Sequence, residues 1–225
     1  MTLPLPLRNR LADLVLDALH DGDARRGLEA IAAVCADPGA LGATSPPPAF
    51  PADLFDRRPD GWRIKSGFRE HASALGERAA RAAGALAGRP LAPPDPTLGQ
   101  ALEEAATLFH AGLYFEVHEW LEPYWLRAEG DDRRALQGLI QVAVGFQHLT
   151  NGNVDGARAL LADGAVKLAG ARLAGRDLDA FASAVEGCRR EVIALGGEAP
   201  RRFAWSTVPR LPAGDRGDPP TTARK

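Results

Sequence analysis

The chain has 225 residues, 45% of them hydrophobic and 25% charged, with a formal net charge of −2. Such a chain builds one core of ordinary size, or one domain with an extension, and its charge argues against a nucleic-acid footprint over the whole molecule. Two distant cysteines, Cys35 and Cys188, argue against a disulfide framework or a cysteine metal site, and no apolar run reaches the roughly 18 residues that suggest a membrane span.

Apolar residues recur at helical spacing over residues 7–36 (Leu11, Leu14, Val15, Ala18 and Leu19, then Leu28, Ile31, Ala32 and Cys35), with a break at Gly22. This predicts a helical hairpin. Arg8, Arg10, Asp13 and Asp17 interrupt any secretory apolar segment, so a cytoplasmic setting is expected. Residues 46–51 read as a proline-rich extended connector, residues 64–87 as an alanine-rich helix, and residues 89–96 as a second connector that proline keeps from being helical throughout. The main boundary is placed there. Residues 1–96 form an N-terminal helical extension with Pro-rich connectors, 97–195 a helical-bundle domain, and 196–225 a solvated Pro/Gly/Arg-rich tail.

Within the central domain, Thr97 is placed to cap a helix that stops at Gly112. Further helices are predicted over residues 114–127, perturbed by Pro123, over 132–150 with an aspartate of the Gly130-Asp131-Asp132 turn as N-cap, over 154–168 and over 178–194. The turns at Gly112 and Gly152 echo one another, each following an apolar helix and preceding a new one. No segment sustains period-two alternation, so the fold class expected is all-α: an antiparallel helical bundle of helical hairpins with an N-terminal helical extension.

The helix over 132–150 is apolar around much of its circumference, with Leu139, Val142, Ala143, Phe146 and Leu149 on one side. Gln137, Gln141 and His148 fall within about 40° of one line opposite them. On the preceding helix, His118, Glu122, Tyr114 and Trp125 share a face, while Glu116 and Glu119 project away by about 160° and 100°. If the two stripes face each other, two imidazoles and a carboxylate converge. Three readings follow: a structural network of paired buried polar groups, a divalent metal held by His118, Glu122 and His148 as a two-His-one-carboxylate set, or a small-ligand pocket lined by the stripe with Tyr114, Trp120 or Trp125. The string His118-Glu119-x-x-Glu122 lacks the second histidine of a zinc-protease motif, and no serine or cysteine nucleophile lies nearby. His110, beside the Gly112 turn, is expected to bond helix-end carbonyls, and His20 and His71 to be exposed.

The residues Phe109, Gly112, Tyr114, Phe115, Glu116, His118, Glu119, Leu121, Glu122 and Trp125 form one block, and Leu136 to Gln141 (LQGLIQ) with Ala143 a second. His148, Gly152, Asn153, Gly156 and Ala157 complete the pattern. In this order they resemble the domain of unknown function 309 family, over about a third of the chain. The resemblance implies a compact all-helical domain with no established activity, and it singles out Glu116 and Glu119, which the helical projection keeps off the stripe.

The expected function is that of a small-ligand or partner-binding scaffold protein with a buried polar network of Tyr114, Glu116, His118, Glu122, Trp125, Gln137, Gln141, His148 and Asn153. The alternative is a metal-dependent hydrolase with His118, Glu122 and His148 as ligands and Glu119 as general base. A partner-binding scaffold would expose an apolar groove lined by Trp62, Trp205 and the proline-rich connectors. A homodimer packed through long helices is compatible with this reading; nucleic acid and membrane partners are not expected.

Overall fold

The computed structural model describes residues 2–42 and 45–214. The N-terminal hairpin consists of α1 (Leu5–His20) and α2 (Gly22–Ala36), hinged at Asp21, whose side chain accepts a hydrogen bond from the Asp23 amide as an N-cap. Leu7, Leu11, Leu14, Val15, Ala18 and Leu19 of α1 turn inward together, as their spacing predicts.

Residues 64–87 are not one helix. They are preceded by an antiparallel hairpin of β1 (Phe55–Arg58) and β2 (Gly61–Ile64), and a 3-10 turn over Ser66–His71 leads into α3 (Ala72–Leu86). Phe55, Trp62 and Ile64 bury one side of the hairpin, and Trp62 packs edge-on against Phe50 at 5.4 Å. Trp62 therefore belongs to the core and does not line a surface groove. A second two-residue hairpin joins β3 (Arg172–Leu173) to β4 (Arg176–Asp177). These pairs are too short to alter the class, and the fold is an all-α helical bundle.

The central bundle comprises α4 (Leu98–His110), α5 (Tyr114–Arg127), α6 (Gly130–Thr150), α7 (Val154–Leu168) and α8 (Asp179–Leu195). Thr97 and Gln100 form a reciprocal capping box at the start of α4, an arrangement whose cap alone contributes about 1 kcal/mol. The α6 helix starts two residues earlier than its aspartates suggest. Glu129 occupies the N-cap without a side-chain bond, and Asp131 and Asp132 sit in the first turn, where the helix dipole favours negative charge. Gly112 (φ +70°) and Gly152 (φ +82°) make the two tight turns in the left-handed conformation that a side chain would strain.

Contact between α6 and α7 is unusually close because glycines face it from both sides. A Cβ on Gly164 would stand 2.7 Å from Val142 Cγ2 and 2.9 Å from the Gly138 carbonyl, and one on Gly138 would stand 2.8 Å from Leu168 Cγ. Real side chains do not tolerate such distances.

The buried apolar residues of the N-terminal segment and of the central bundle belong to one cluster, from Leu3 through Leu211. The connector at residues 89–96 is also tied down. Arg25 donates to the carbonyls of Ala18, Leu86, Arg89 and Pro90, and the Ala92 amide donates to the Leu19 carbonyl. His20, expected on the surface, donates from Nδ1 to the Ala92 carbonyl at 3.1 Å and packs 5.4 Å from Trp120. His71 likewise is largely covered, its side chain 14% exposed.

Residues 196–214 do not form a solvated tail. A helical turn at Ala199–Arg202 brings the segment back across the bundle, burying Phe203 and Leu211. Composition points to solvent, but Phe203 packs against Phe146 of α6 and the Leu211 amide bonds to His110 at the end of α4. Residues 215–225 lie outside the described residues. Among the described residues, no helix is long and apolar enough to cross a membrane.

Candidate functional site

Glu116 is the deepest charged group of the motif, with no exposed surface. The projection turned it away from His118, and that direction points to α3. There Arg78 grips it through two parallel hydrogen bonds, Nε to Oε1 at 3.0 Å and Nη2 to Oε2 at 2.6 Å. Such a planar fork is the strongest geometry available to an ion pair, and it pins α5 to the N-terminal segment.

Of the proposed metal ligands, the structure brings His118 and Glu122 together. The third member of their group is Glu119, which the projection had kept apart; one ligand atom from each lies within 4.8 Å of the others. Flexible glutamate side chains close the angle that separated them on the helical wheel, and His118 Nδ1 stands 2.9 Å from Glu119 Oε1. All three are half-buried on one face of α5.

His148 does not join this cluster. It sits at the α6–α7 turn, where its Nδ1 lies 2.7 Å from Asn153 Nδ2. Asn153 is the N-cap of α7, its Oδ1 accepting from the Gly156 amide at 2.9 Å. The amide group is thereby oriented, so Nδ2 donates to His148 Nδ1 and the imidazole proton resides on Nε2. Both residues thus hold a turn together.

The remaining stripe residues are placed by packing. The guanidinium of Arg133 lies 4.5 Å over the Trp125 ring, and its Nη1 donates to the carbonyls of Trp125, Leu126 and Ala128 at the end of α5. Gln137 and Gln141 are half-buried, and Gln141 Oε1 and Trp125 Nε1 have no hydrogen-bond partner among the described residues. Trp120 is buried and donates to the Ala101 carbonyl at 2.8 Å, locking α5 to α4.

Tyr114 leads to a different place. Its ring stacks on Phe146 at 5.4 Å and lies nearly parallel to Trp205 at 6.4 Å, and burial pushes its phenol up to about 12, so the hydroxyl stays protonated. Above it opens a hollow of about 430 Å³, lined by Arg78, Arg81, Gly112, Tyr114, Gln147, Thr150 and Trp205. A second hollow of about 520 Å³ adjoins it, lined by Arg81, Arg89, Thr107, His110 and Arg210. Arg81, His110 and Ala111 belong to both, so the two form one cleft between α3, the α4–α5 turn, the end of α6 and the C-terminal segment.

The cleft is electropositive. Arg81 and Arg210 have no carboxylate within salt-bridge distance among the described residues. Arg89 holds Glu104 only at 3.4 Å or more, and its Nε is buried without a partner. The arginines of this cleft went unremarked as site candidates because those on α3 alternate with other residues as on a solvated face, and Arg210 lies more than a hundred residues away. Trp205, expected to line a surface groove, instead ends the aromatic stack at the cleft wall.

His110 closes the floor in a way the sequence did not suggest. Its Nε2 accepts a hydrogen bond from the Leu211 amide at 3.0 Å, rather than bonding helix-end carbonyls. Burial, reinforced by nearby Arg210, holds its pKa below the usual imidazole value. The folded form thus favours neutral His110, and this contribution is complete above the unfolded pKa of about 6.5 and lost as pH falls through the lowered folded value. The Leu211 amide proton is therefore expected to move in NMR spectra as His110 titrates below neutrality; a Leu211 resonance blind to that titration would remove the latch.

Two helical hairpins, α4–α5 and α6–α7, carrying the motif on an all-helical scaffold, define a helical-bundle protein. Residues 102–160, from α4 into α7, match the family described as Domain of unknown function (DUF309), which bears out the resemblance read from the motif. No curated protein and no solved structure matches the chain.

Proposed function

We propose that the protein binds a small anionic molecule in the arginine-lined cleft. The observation that carries this reading is the convergence of Arg81, Arg89 and Arg210 on one concavity that contains little compensating negative charge. Each hollow falls within the range of roughly 300–1,000 Å³ typical of small-molecule sites, and Tyr114 and Trp205 supply the apolar wall such sites use for orientation. Binding accounts for the cleft without invoking catalysis.

A divalent metal at His118, Glu119 and Glu122 is a second reading, favoured by their mutual reach of 4.8 Å. His118 and Glu122, one helical turn apart, offer a nitrogen and an oxygen to a common ion, with Glu119 beside them. With His148 engaged at the turn, Glu119 would have to complete the ligand set, leaving no separate general base. This favours a bound ion over the hydrolase alternative.

Thermal melts at matched ionic strength separate the two. Phosphate, sulfate or citrate at about 100 times its dissociation constant should stabilise the protein by about 2.7 kcal/mol relative to chloride, a rise of roughly 5–10 °C, and Arg81→Gln with Arg210→Gln should abolish it. Equal melting in all anions would end the cleft reading. Mn²⁺ or Zn²⁺ should raise the melting temperature in a manner sensitive to His118→Ala only if the second reading holds.

A further inference from the structure

Building on the anion-binding reading, we infer that the two hollows form one site for a flat aromatic ring bearing a phosphate group. Both hollows mix polar and apolar lining, but they differ in one respect. The outer hollow gathers the guanidinium groups of Arg81, Arg89 and Arg210 with the Thr107 hydroxyl, whereas the inner one, beside Arg78, Gln147 and Thr150, adds the aromatic rings of Tyr114 and Trp205. A carboxylate has two oxygens, and one bidentate arginine satisfies it, as Arg78 does Glu116. Phosphate presents three terminal oxygens and up to two charges, which suits three arginines, of which Arg89 alone has a carboxylate, Glu104, at 3.4 Å among the described residues.

The inner hollow supplies what the phosphate would be attached to. Trp205 is 39% exposed although it packs against Tyr114, Phe146 and Phe203, so the aromatic stack ends in a partly open indole at the cleft wall. A flat ring extends that stack and removes the remaining indole surface from water, an arrangement sensitive to ring shape and indifferent to sequence of substituents. Arg81, shared by both hollows, lies at the junction, its Nη1 only 3.5 Å from where a Cβ on Gly112 would stand. The ligand therefore spans the junction, with its ring toward Trp205 and its phosphate toward Arg89 and Arg210.

Titration calorimetry of the full chain with phenyl phosphate, inorganic phosphate and phenol tests this. Phenyl phosphate should bind about tenfold more tightly than inorganic phosphate. Trp205→Leu should erase that advantage while leaving inorganic phosphate binding intact, Trp205→Phe should keep it, and Arg81→Gln should weaken both phosphates. Equal affinities for the two phosphates, both weakened by Arg81→Gln, would overturn the ring subsite and leave the anion site standing. Binding of neither phosphate would overturn both.

Discussion

Glu116→Ala is expected to lower stability by about 3–5 kcal/mol, a fall in melting temperature of roughly 10 °C. The loss does not measure the strength of the ion pair; it measures the penalty of leaving the largely buried Arg78, 12% exposed, without a counter-charge. Arg78→Met should cost as much or more, because Glu116 has no contact with water to fall back on. Combining Arg78→Met with Glu116→Leu should recover much of the loss, since an apolar pair of similar volume can replace a buried ion pair at little cost. A double-mutant cycle in denaturant gives all three values. Additive losses in the double variant would mean that the two side chains act independently, against the paired geometry.

Phe146→Ala is the second large effect, with an expected cost of about 3–5 kcal/mol. The ring is fully buried and touches aromatic partners from three separate elements: Phe109 of α4 at 5.9 Å, Tyr114 of α5 at 5.4 Å, and Phe203 and Trp205 of the C-terminal segment at 6.3 and 6.5 Å. Removing it leaves a cavity beneath Tyr114 and loosens the seat of Trp205, so indole emission should shift red before global unfolding. Phe146→Leu should lose less, because it refills most of the volume. A loss below about 1.5 kcal/mol for the alanine variant would show that the neighbours collapse into the gap.

Helix periodicity made most of the bundle readable. The predicted bounds of α5 and α7 coincide with those observed, and the apolar side of α6 is buried as expected. The β1–β2 hairpin escaped because its strands are four residues long and its exposed arginines blur the alternation, and its loop residues, Pro59 and Asp60, are not one of the Gly-containing pairs that mark a two-residue turn. The site was less legible. Angular position identified the His118–Glu122 pairing, but a wheel has no side-chain flexibility and so separated Glu119 from it. Nor could it show that His148 is claimed by an N-cap five residues onward. The Arg78–Glu116 pair joins residues 38 positions apart, and the cleft brings Arg210 to residues more than a hundred positions away, a range at which local pattern carries no information.

The glycine-lined seam between α6 and α7 bears on how the cleft can open. Helices packed with backbone atoms this near have no slack in which to slide, and close-packed interfaces resist continuous deformation. The end of α6, which contributes Gln147 and Thr150, is therefore a fixed jaw. The opposing jaw is α3, packed on α2 and held to α5 by the Arg78–Glu116 ion pair, and the roof is the C-terminal segment latched by His110. Widening of the entrance therefore falls to the roof, so ligand size is set by how far the C-terminal segment can yield where its Leu211 amide bonds to His110.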